Sequence, residues 1–405
     1  MSCGAGRRQL LQSRNVSVDV SVSPRVLTRS EHSVSRKQIA PEALKVLYRL
    51  SAADHRAYLV GGSVRDLLLG RTPKDYDVAT DARPPEIRRI FRNSRIIGRR
   101  FRLVHVLFRD QVIEVSTFRR EPDPDEQRGD GEDLLITSDN AFGTPEQDAW
   151  RRDFTVNALF YDISDFSIID FVGGIEDLER RTIRTIGDPW VRFREDPVRM
   201  MRACELAGRL GFGIEARTQE AIRELAPEIA RAAPARVTEE VIGLLRCGSA
   251  GRTLQWMLDL GLVDPLMPEV WAMVRAGERG LGNFAQILPV LDRRMANSPE
   301  IPDGALLAAL LLPSVLLRRF DAESGRPAAL RRAELHQLVR EATEPLFARL
   351  SVSRERQRQA LETLDGFLRL CEPPRAAADR VRATARPSFP TALWLFELLA
   401  EATGE

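Results

Sequence analysis

Cysteine is scarce in this sequence, and its spacing argues against two classes of small structural site. The four cysteines lie far apart and form no Cys-x-x-Cys pair: Cys3, Cys204, Cys247 and Cys371. Disulfide scaffolds and zinc sites depend on closely spaced, recurring cysteines, so we expect neither here. The same composition fits a reducing compartment, and we predict a cytoplasmic protein.

Long apolar runs are also lacking. The longest, residues 305–317, is interrupted by Pro313 and Ser314, and it is shorter than the roughly 20 residues that span a bilayer. Arg7 and Arg8 near the start are not followed by an apolar stretch, so no signal peptide is expected. These absences predict a protein with no membrane partner.

Lysine is scarce as well. Only three of the 60 basic residues are lysines, and the rest are arginines. A guanidinium can form paired hydrogen bonds with a phosphate, which suits a nucleotide or nucleic-acid ligand. However, the formal net charge is only +2, and genomic base composition produces the same bias. The arginine content is therefore compatible with phosphate binding without establishing it.

The pattern of apolar residues divides the chain into four parts. Residues 1–35 have no helical periodicity and are predicted to form a disordered basic arm. Short β-rich runs and helices between 36 and 188 predict a head domain with a small mixed sheet. Amphipathic helices then predict a helical neck at 189–250 and a helical body at 251–405, without further strands. The predicted fold class is therefore α+β.

The segment YLVGGSVRDLLLGRTPKDYDVAT, residues 58–80, carries the first chemical motif. An apolar strand ends at Gly61 and Gly62, where a backbone without Cβ atoms can approach a phosphate. A short helix is predicted to open at Ser63, and a helix start behind a glycine turn favours an anion. Arg65, in its first turn, is predicted to reach a triphosphate.

Two aspartates follow in the same segment. Asp75 and Asp77 are two residues apart on a predicted strand, which places both carboxylates on one face. Paired carboxylates next to a phosphate site are what two-metal nucleotidyl transfer requires, and Mg²⁺ is the expected ion. Glu114, on a predicted strand at 112–118, is either a third carboxylate of this site or a charged residue on an edge strand.

The second motif is RRDFTVNA at residues 151–158. We predict a helix here, on which Asp153 and Asn157 share one face with Arg152 nearby. Such polar groups can bind a ribose 2′-hydroxyl together with a triphosphate. The motif therefore favours a ribonucleotide ligand.

The third motif includes Glu195, Asp196 and Arg199, the last two being neighbours on a predicted helix. A carboxylate accepts a hydrogen bond from an exocyclic amine, and a guanidinium donates one to a ring nitrogen. Adenine and cytosine offer both groups, whereas guanine and uracil present a keto oxygen and an N–H. A mismatch would cost about 1–3 kcal/mol for each buried unsatisfied group, so the motif predicts recognition of adenine or cytosine.

Together the three motifs resemble those of the class II tRNA nucleotidyltransferase and bacterial poly(A) polymerase family, within the polymerase-β superfamily. The resemblance covers about residues 35–250 and implies a nucleotidyltransferase with two Mg²⁺ ions held by Asp75 and Asp77. It implies that Asp153 is catalytic as well as nucleotide-binding. The implied nucleotide contacts are Gly61, Gly62, Arg65, Arg152, Asp153, Asn157, Glu195, Asp196, Arg199 and Arg202.

The stretch IIGRRFRLVHV, residues 96–106, is similar to that of poly(A) polymerases rather than CCA-adding enzymes. Arg99, Arg100 and Arg102 are predicted to contact RNA phosphates, with a basic surface turn as the alternative. His105 is predicted to be a core histidine. No His-Asp dipeptide occurs, so the metal phosphohydrolase domain of some CCA-adding enzymes is not expected.

Two features depart from the family. Glu205 replaces an arginine that members usually have, so no contact is assigned there, and the long basic C-terminal tail common in poly(A) polymerases is missing. RNA contact is then left to arginines of the body, such as Arg354, Arg356 and Arg358, unless these belong to a solvated helix face. The predicted partner is an RNA 3′ end, and the protein is predicted to be a monomer.

The preferred function is template-independent addition of AMP from ATP to RNA 3′-hydroxyl ends, with release of pyrophosphate. One alternative is a CCA-adding, CC-adding or A-adding tRNA nucleotidyltransferase. Another, of a different class, is an RNA-binding protein with weakened catalysis, which Glu205 and the missing tail suggest.

Overall fold

The structure is a computed structural model that describes residues 23–98, 102–120, 141–276, 284–297, 300–319, 332–371, 381–382 and 384–404. The described chain divides into two compact units. The first contains the residues up to Arg120 together with Phe142–Trp150 and Asn157–Ile175, and the second contains Arg151–Val156 and the residues from Glu176 onward.

The first unit is built on an eight-stranded mixed sheet with the strand order β1-β8-β7-β2-β3-β6-β5-β4. The β3–β6 pair is parallel and the other neighbours are antiparallel. The strands are β1 (Arg25–Leu27), β2 (Ala57–Val60), β3 (Asp77–Thr80), β4 (Ser94–Ile97), β5 (Leu103–Leu107), β6 (Val112–Thr117), β7 (Leu159–Asp162) and β8 (Ile168–Asp170). The predicted α+β class and mixed sheet are confirmed.

Apolar side chains explain where the first unit's core lies. All four residues of β2 are buried, as expected for a central strand covered on both faces. Helix α1 buries Ala43, Val46, Leu47 and Leu50, a spacing that places them on one helical face. The helices of this part are α1 (Pro41–Ala52), α2 (Gly62–Leu68), α3 (Pro84–Ile90) and α4 (Pro145–Trp150).

The predicted disordered arm is wrong for its last part. Residues 25–27 form β1, which pairs antiparallel with β8 at the edge of the sheet. The ring Nε2 of His32 lies 2.9 Å from the carbonyl oxygen of Phe166. Pairing with a strand more than 140 residues later is a non-local contact, so the local pattern of residues 1–35 contains no signal for it.

The second unit is mainly helical, as predicted. Its helices include α6 (Pro189–Glu195), α7 (Val198–Leu210), α8 (Ala216–Leu225), α9 (Pro234–Arg246), α10 (Ala250–Asp259), α11 (Val263–Leu266), α12 (Pro268–Ala276), α13 (Phe284–Asn297), α14 (Asp303–Arg319), α15 (Arg332–Arg349), α16 (Arg354–Leu370) and α17 (Phe389–Thr403), and α5 (Gly174–Glu179) lies at its start. The expectation of no strands after residue 189 is wrong in one place, because β10 (Gly213–Ile214) pairs in parallel with β9 (Thr182–Ile183).

Helices α7 and α10 approach each other closely at Gly208. A Cβ atom at this position would lie 2.8 Å from the Thr253 backbone nitrogen and nearer still to Thr253 Oγ1. Both distances are shorter than a van der Waals contact, so only glycine allows this approach.

The apolar run that the sequence places at 305–317 lies in α14, where 13 consecutive residues from Gly304 to Leu316 are buried. This agrees with a core helix. Among the helices that the structure describes, none combines the length and apolar character of a membrane span.

Candidate active site

The glycine turn after β2 adopts a conformation that requires glycine. Gly61 has φ +73° and ψ −138° and precedes the first residue of α2, in a region that residues with a Cβ atom rarely adopt. The predicted opening of the helix at Ser63 is therefore wrong by one residue, since Gly62 is already helical. The Ser63 hydroxyl donates instead to the Val60 carbonyl, at 2.9 Å.

Arg65 is a buried arginine with partners inside the first unit. Its residue exposure is 2%, its Nε donates to Asp66 Oδ1 at 2.9 Å, and its Nη1 donates to Asn157 Oδ1. A Cβ atom at Gly62 would lie 3.2 Å from Arg65 Nη2, so Gly62 leaves room for the guanidinium. The structure thus links Arg65 to Asp66 and Asn157, while its contact with a triphosphate stays a prediction.

The two predicted metal ligands lie at the start of β3. Asp77 is the first residue of the strand, whereas Asp75 precedes it, so the placement of both on the strand is wrong for Asp75. Exposure nevertheless alternates: Asp75 is exposed, Tyr76 is buried and Asp77 is partly exposed. The Tyr76 hydroxyl donates to the Gln38 carbonyl at 3.0 Å. The alternation agrees with two carboxylates on the side opposite Tyr76.

A row of polar residues crosses the sheet from Asp77. Glu114 on β6 is the register partner of Asp77 on β3, and His105 on β5 is the register partner of Glu114. His105 Nε2 lies 3.2 Å from Glu114 Oε1. The His105 side chain is 27% exposed, so the prediction of a core histidine is wrong.

The oxygen ligands available at the start of β3 fit Mg²⁺. Asp75 and Asp77 offer hard carboxylate oxygens, and protein-bound Mg²⁺ commonly uses one or two carboxylates together with water and substrate phosphates. Within the described ranges no group of three or more His, Cys, Asp or Glu side chains could hold a metal ion. The suggestion that Glu114 is a third metal ligand is therefore not supported, although it neighbours Asp77.

The predicted helix at 151–159 is wrong. Phe154 forms a β-bridge with Thr185, residues Thr155–Asn157 make one 3₁₀ turn, and β7 begins at Leu159. Residues 154–156 are all buried, and no α-helix includes them. Backbone bonds to residues 184 and 186 replace the helical ones.

Asp153 consequently has a different partner from the one predicted. It belongs to the second unit, whereas Asn157 belongs to the first, so the two do not share a helix face. Asp153 Oδ2 accepts hydrogen bonds from Arg202 Nε at 2.9 Å and Nη2 at 2.7 Å. The charge of Asp153 raises the pKa of the Arg202 guanidinium, which stays protonated at any physiological pH.

Asp196 and Arg199 lie at a junction between two helices rather than on one helix. Asp196 directly follows α6 as its C-terminal cap, and Arg199 lies in the first turn of α7. The Arg199 N–H donates to the Asp196 carbonyl at 3.1 Å. Arg199 Nη1 donates to Glu195 Oε2 at 3.4 Å. Burial, and next the charge of Arg192, lower the pKa of the Arg199 guanidinium. The two predicted base-recognition residues are thus brought together, by a turn.

Two arginines that the motifs did not single out contact these residues. Arg236 on α9 donates to both oxygens of Asp196, at 2.9 Å each. Arg192 on α6 donates to Glu195 and to the carbonyl oxygens of Arg151 and Arg152. The i,i+3 spacing of Arg192 and Glu195 is visible in the sequence, but no local signal connects Arg236 with Asp196.

Two sequence profiles match parts of the chain on either side of residues 185–210, which neither profile covers. A profile described as the poly A polymerase head domain matches residues 57–184. A second, described as a probable RNA and SrmB-binding site of polymerase A, matches residues 211–274.

Relatives with known names match a larger part of the chain. Poly(A) polymerase I from Salmonella typhi is 45% identical over 310 residues, which cover 74% of this chain but 66% of the relative, just under two thirds. Poly(A) polymerase I from Haemophilus influenzae is 35% identical over 388 residues, 94% of this chain and 84% of the relative. The chain belongs to the bacterial poly(A) polymerase and class II tRNA nucleotidyltransferase family.

A solved member of this family has a similar fold. The crystal structure of the Bacillus stearothermophilus CCA-adding enzyme in complex with CTP is 28% identical and has a TM-score of 0.54. The match covers 89% of this chain and 83% of that one. The family thus includes relatives with two different names, poly(A) polymerase and CCA-adding enzyme.

The departure from the family pattern at Glu205 is accommodated within α7. Glu205 Oε1 lies 2.8 Å from Arg209 Nε, one helical turn later. Burial, with Glu205 as a smaller cause, raises the pKa of Glu240, whose carboxylate lies 3.6 Å from Arg202 Nη1. Glu205 therefore has a partner of its own on the helix.

The predicted RNA-binding rim is only partly described. Arg99 and Arg100 lie outside the described residues, and the backbone carbonyl of Arg102 accepts a bond from Arg119 Nη2 at 3.1 Å. In the helical body, Arg356 contacts Glu239 and Asp303, while Arg358 lies between two glutamates of its own helix. Arg358 thus fits a solvated helix face, whereas Arg356, with a side chain 24% exposed, forms ion pairs with residues outside its own helix.

Proposed function

We propose that this family member is a template-independent polynucleotide adenylyltransferase, which adds AMP from ATP to RNA 3′-hydroxyl ends and releases pyrophosphate. The observation that carries the proposal is the similarity to Poly(A) polymerase I over 94% of the chain. The paired aspartates at β3 support the same chemistry, since nucleotidyl transfer needs carboxylates that can hold Mg²⁺.

In this proposal the first unit acts on the phosphates. Asp75 and Asp77 would hold two Mg²⁺ ions, which would supply charge neutralisation at the α-phosphate and lower the pKa of the RNA 3′-hydroxyl. The backbone at Gly61 and Gly62 approaches the triphosphate. Arg65 orients the side-chain amide of Asn157 toward the sugar. The RNA 3′-hydroxyl gives up its proton to water and its oxygen bonds to the α-phosphorus, as the bond from that phosphorus to the pyrophosphate oxygen breaks.

The second unit recognises the nucleotide in this proposal. Asp153, oriented by Arg202, and Arg152 contact the ribose and the triphosphate. Asp196 accepts a hydrogen bond from the adenine amine, and Arg199 donates to the ring nitrogen. Glu195 holds the Arg199 guanidinium in place, as its contact at 3.4 Å supports.

RNA binding in this proposal is mainly electrostatic. The profile match at 211–274 supports an RNA partner, and contacts to the RNA backbone would make affinity fall steeply with salt. The proposal also includes a cytoplasmic location and a monomeric state.

A second candidate is CCA addition to tRNA. It is favoured by the similarity to a CCA-adding enzyme in complex with CTP over 89% of this chain. Asp196 and Arg199 suit both adenine and cytosine, so these residues do not separate the two activities.

One incorporation experiment tests the two candidates. Purified protein is incubated with Mg²⁺ and either a generic oligoribonucleotide or a tRNA lacking its 3′ end, with ATP alone or with ATP and CTP. Long A tails on the oligoribonucleotide with ATP alone support the proposal. Addition of one to three nucleotides confined to tRNA contradicts it and supports CCA addition. A double variant, Asp75→Asn with Asp77→Asn, is the control for contaminating enzymes.

A further inference from the structure

Arg192 is a buried residue that contacts two motifs at once within the second unit. Its exposure is 5%. Its Nη2 donates to the carbonyl oxygens of Arg151 at 2.6 Å and Arg152 at 3.0 Å, and its Nη1 donates to Glu195 Oε2 at 2.8 Å. Arg151 and Arg152 are the two residues before Asp153, and Glu195 is the residue before Asp196.

We propose that Arg192 is a positioning residue that keeps the sugar-recognition segment in register with the base-recognition junction. The inference rests on the proposed function, in which Asp153 contacts the ribose and Asp196 reads the base. A guanidinium is planar and presents its donors in fixed directions. One buried Arg192 side chain therefore fixes both segments, and neither can shift without breaking bonds to the same group.

The bonds of Glu195 extend this arrangement to Arg199. Glu195 Oε2 accepts from Arg192 at 2.8 Å and from Arg199 at 3.4 Å, and Arg199 also donates to the Arg192 carbonyl at 3.3 Å. If Arg192 is removed, Glu195 loses its 2.8 Å hydrogen bond and keeps the longer contact with Arg199. The carbonyls of residues 151 and 152 lose a buried donor at the same time. Sugar and base recognition are therefore expected to weaken together.

The test measures two selectivities in the same enzyme. Sugar selectivity is the ratio of kcat/KM for ATP to that for 2′-dATP, and base selectivity is the ratio for ATP to that for GTP. Asp153→Asn should lower only the sugar ratio, and Asp196→Asn only the base ratio. Arg192→Lys, which keeps the charge but not the fork of donors, should lower both ratios, each by about tenfold.

The matched control is Arg231→Lys. Arg231 forms an exposed ion pair with Glu228 at 2.8 Å, also with i,i+3 spacing, and is not part of the proposed machinery. Both ratios should stay within about twofold of the wild type in this variant. A change of the same size as in Arg192→Lys would attribute the effect to a general loss of guanidinium groups and overturn the proposal.

Hydrogen–deuterium exchange gives a readout that does not need activity. In Arg192→Lys, peptides containing residues 151–156 and 195–199 should both exchange faster, while peptides from α14 stay unchanged. The proposal is overturned if Arg192→Lys changes neither selectivity ratio and neither peptide's exchange rate. It is also overturned if the changes are confined to one of the two motifs. If the Asp153 and Asp196 variants leave their ratios unchanged, the proposed function fails instead, and exchange in Arg192→Lys still decides the positioning role.

Discussion

The guanidinium of Arg236 binds both carboxylate oxygens of Asp196, at 2.9 Å each. Each carboxylate oxygen has two acceptor sites, so the paired bonds leave acceptor capacity for a base amine. The Asp196 side chain is 17% exposed and the Arg236 side chain 47%. Arg236 therefore fixes the direction of a carboxylate that remains reachable from solvent.

From the ion pair of Arg236 with Asp196 we expect that Arg236→Ala lowers kcat/KM for ATP while the protein stays folded. The carboxylate of Asp196 would gain rotational freedom, so we expect kcat/KM for ATP to fall about tenfold, which corresponds to the loss of about 1.4 kcal/mol. Steady-state kinetics on an oligoribonucleotide measure this. Arg223→Ala, which removes an exposed side chain bonded to Gln219, is the control. An unchanged kcat/KM in Arg236→Ala would mean that Asp196 needs no support.

The two aspartates at β3 should dominate catalysis. Asp75→Asn and Asp77→Asn each remove a negative ligand, and we expect incorporation to fall by a factor of at least about 100. The control is Asp110→Asn, an exposed residue in the turn between β5 and β6. Circular dichroism should show the same helix content in all three variants. Near-normal incorporation by either β3 variant would remove that residue from the metal site.

Alanine substitutions at Gly61, Gly62 and Gly70 should separate the effect of backbone strain on stability from the effect on activity. Gly61 and Gly70 have φ of +73° and +67°, and no atom lies within 4 Å of the place that a Cβ atom would take at Gly70. Replacing Gly70 by Ala should lower the free energy of unfolding by about 1–2 kcal/mol. Replacing Gly61, whose ψ of −138° lies outside the left-handed helical region, should lower it by about 1–3 kcal/mol; denaturant titration measures both. Gly62→Ala should cost less stability but displace the Arg65 guanidinium and lower activity. A loss of activity in Gly70→Ala equal to that in Gly62→Ala would contradict this separation.

Burial should make the Cys204 thiol unreactive in the native protein. Burial raises the pKa of Cys204, which is a buried residue of α7, whereas Cys371 is exposed. Treatment of the native protein with a maleimide under mildly alkaline conditions, followed by peptide mass mapping, should label Cys371 and leave Cys204 unmodified. Denaturant should make Cys204 reactive. Rapid native labelling of Cys204 would show that α7 opens locally.

The raised pKa of the Cys204 thiol should make the free energy of unfolding depend on pH. Since the folded state holds the Cys204 proton more tightly than the unfolded state, stability is lost as pH rises above the unfolded cysteine pKa of about 8.5. The contribution is at most about 1.4 kcal/mol per pH unit for one group. Denaturant titrations between about pH 8 and 10, on either side of that pKa, should show a shallower decline for Cys204→Ala than for the wild type. Parallel declines would contradict a buried, protonated thiol.

Elements that depend on neighbouring residues were predictable from the sequence, whereas those that depend on distant residues were not. Helix α7 was predictable almost to the residue because its apolar spacing and the following Gly211, with φ +71°, are local signals. The segment at 151–158 was not, since its hydrogen bonds go to residues 184–186 and replace a helix that its own sequence allows. For the same reason no pattern pointed to Arg236, which meets Asp196 across 40 positions.

The close approach at Gly208 has a consequence for directed evolution of nucleotide choice. Libraries that alter base preference would naturally randomise α7, since Arg199 and Arg202 lie on it. At Gly208 every other residue would collide with the Thr253 backbone, so variation there would remove folded clones before selection for specificity could begin. A library that holds Gly208 constant and varies the partly exposed Glu205 and Arg209 explores the same helix within foldable sequence space.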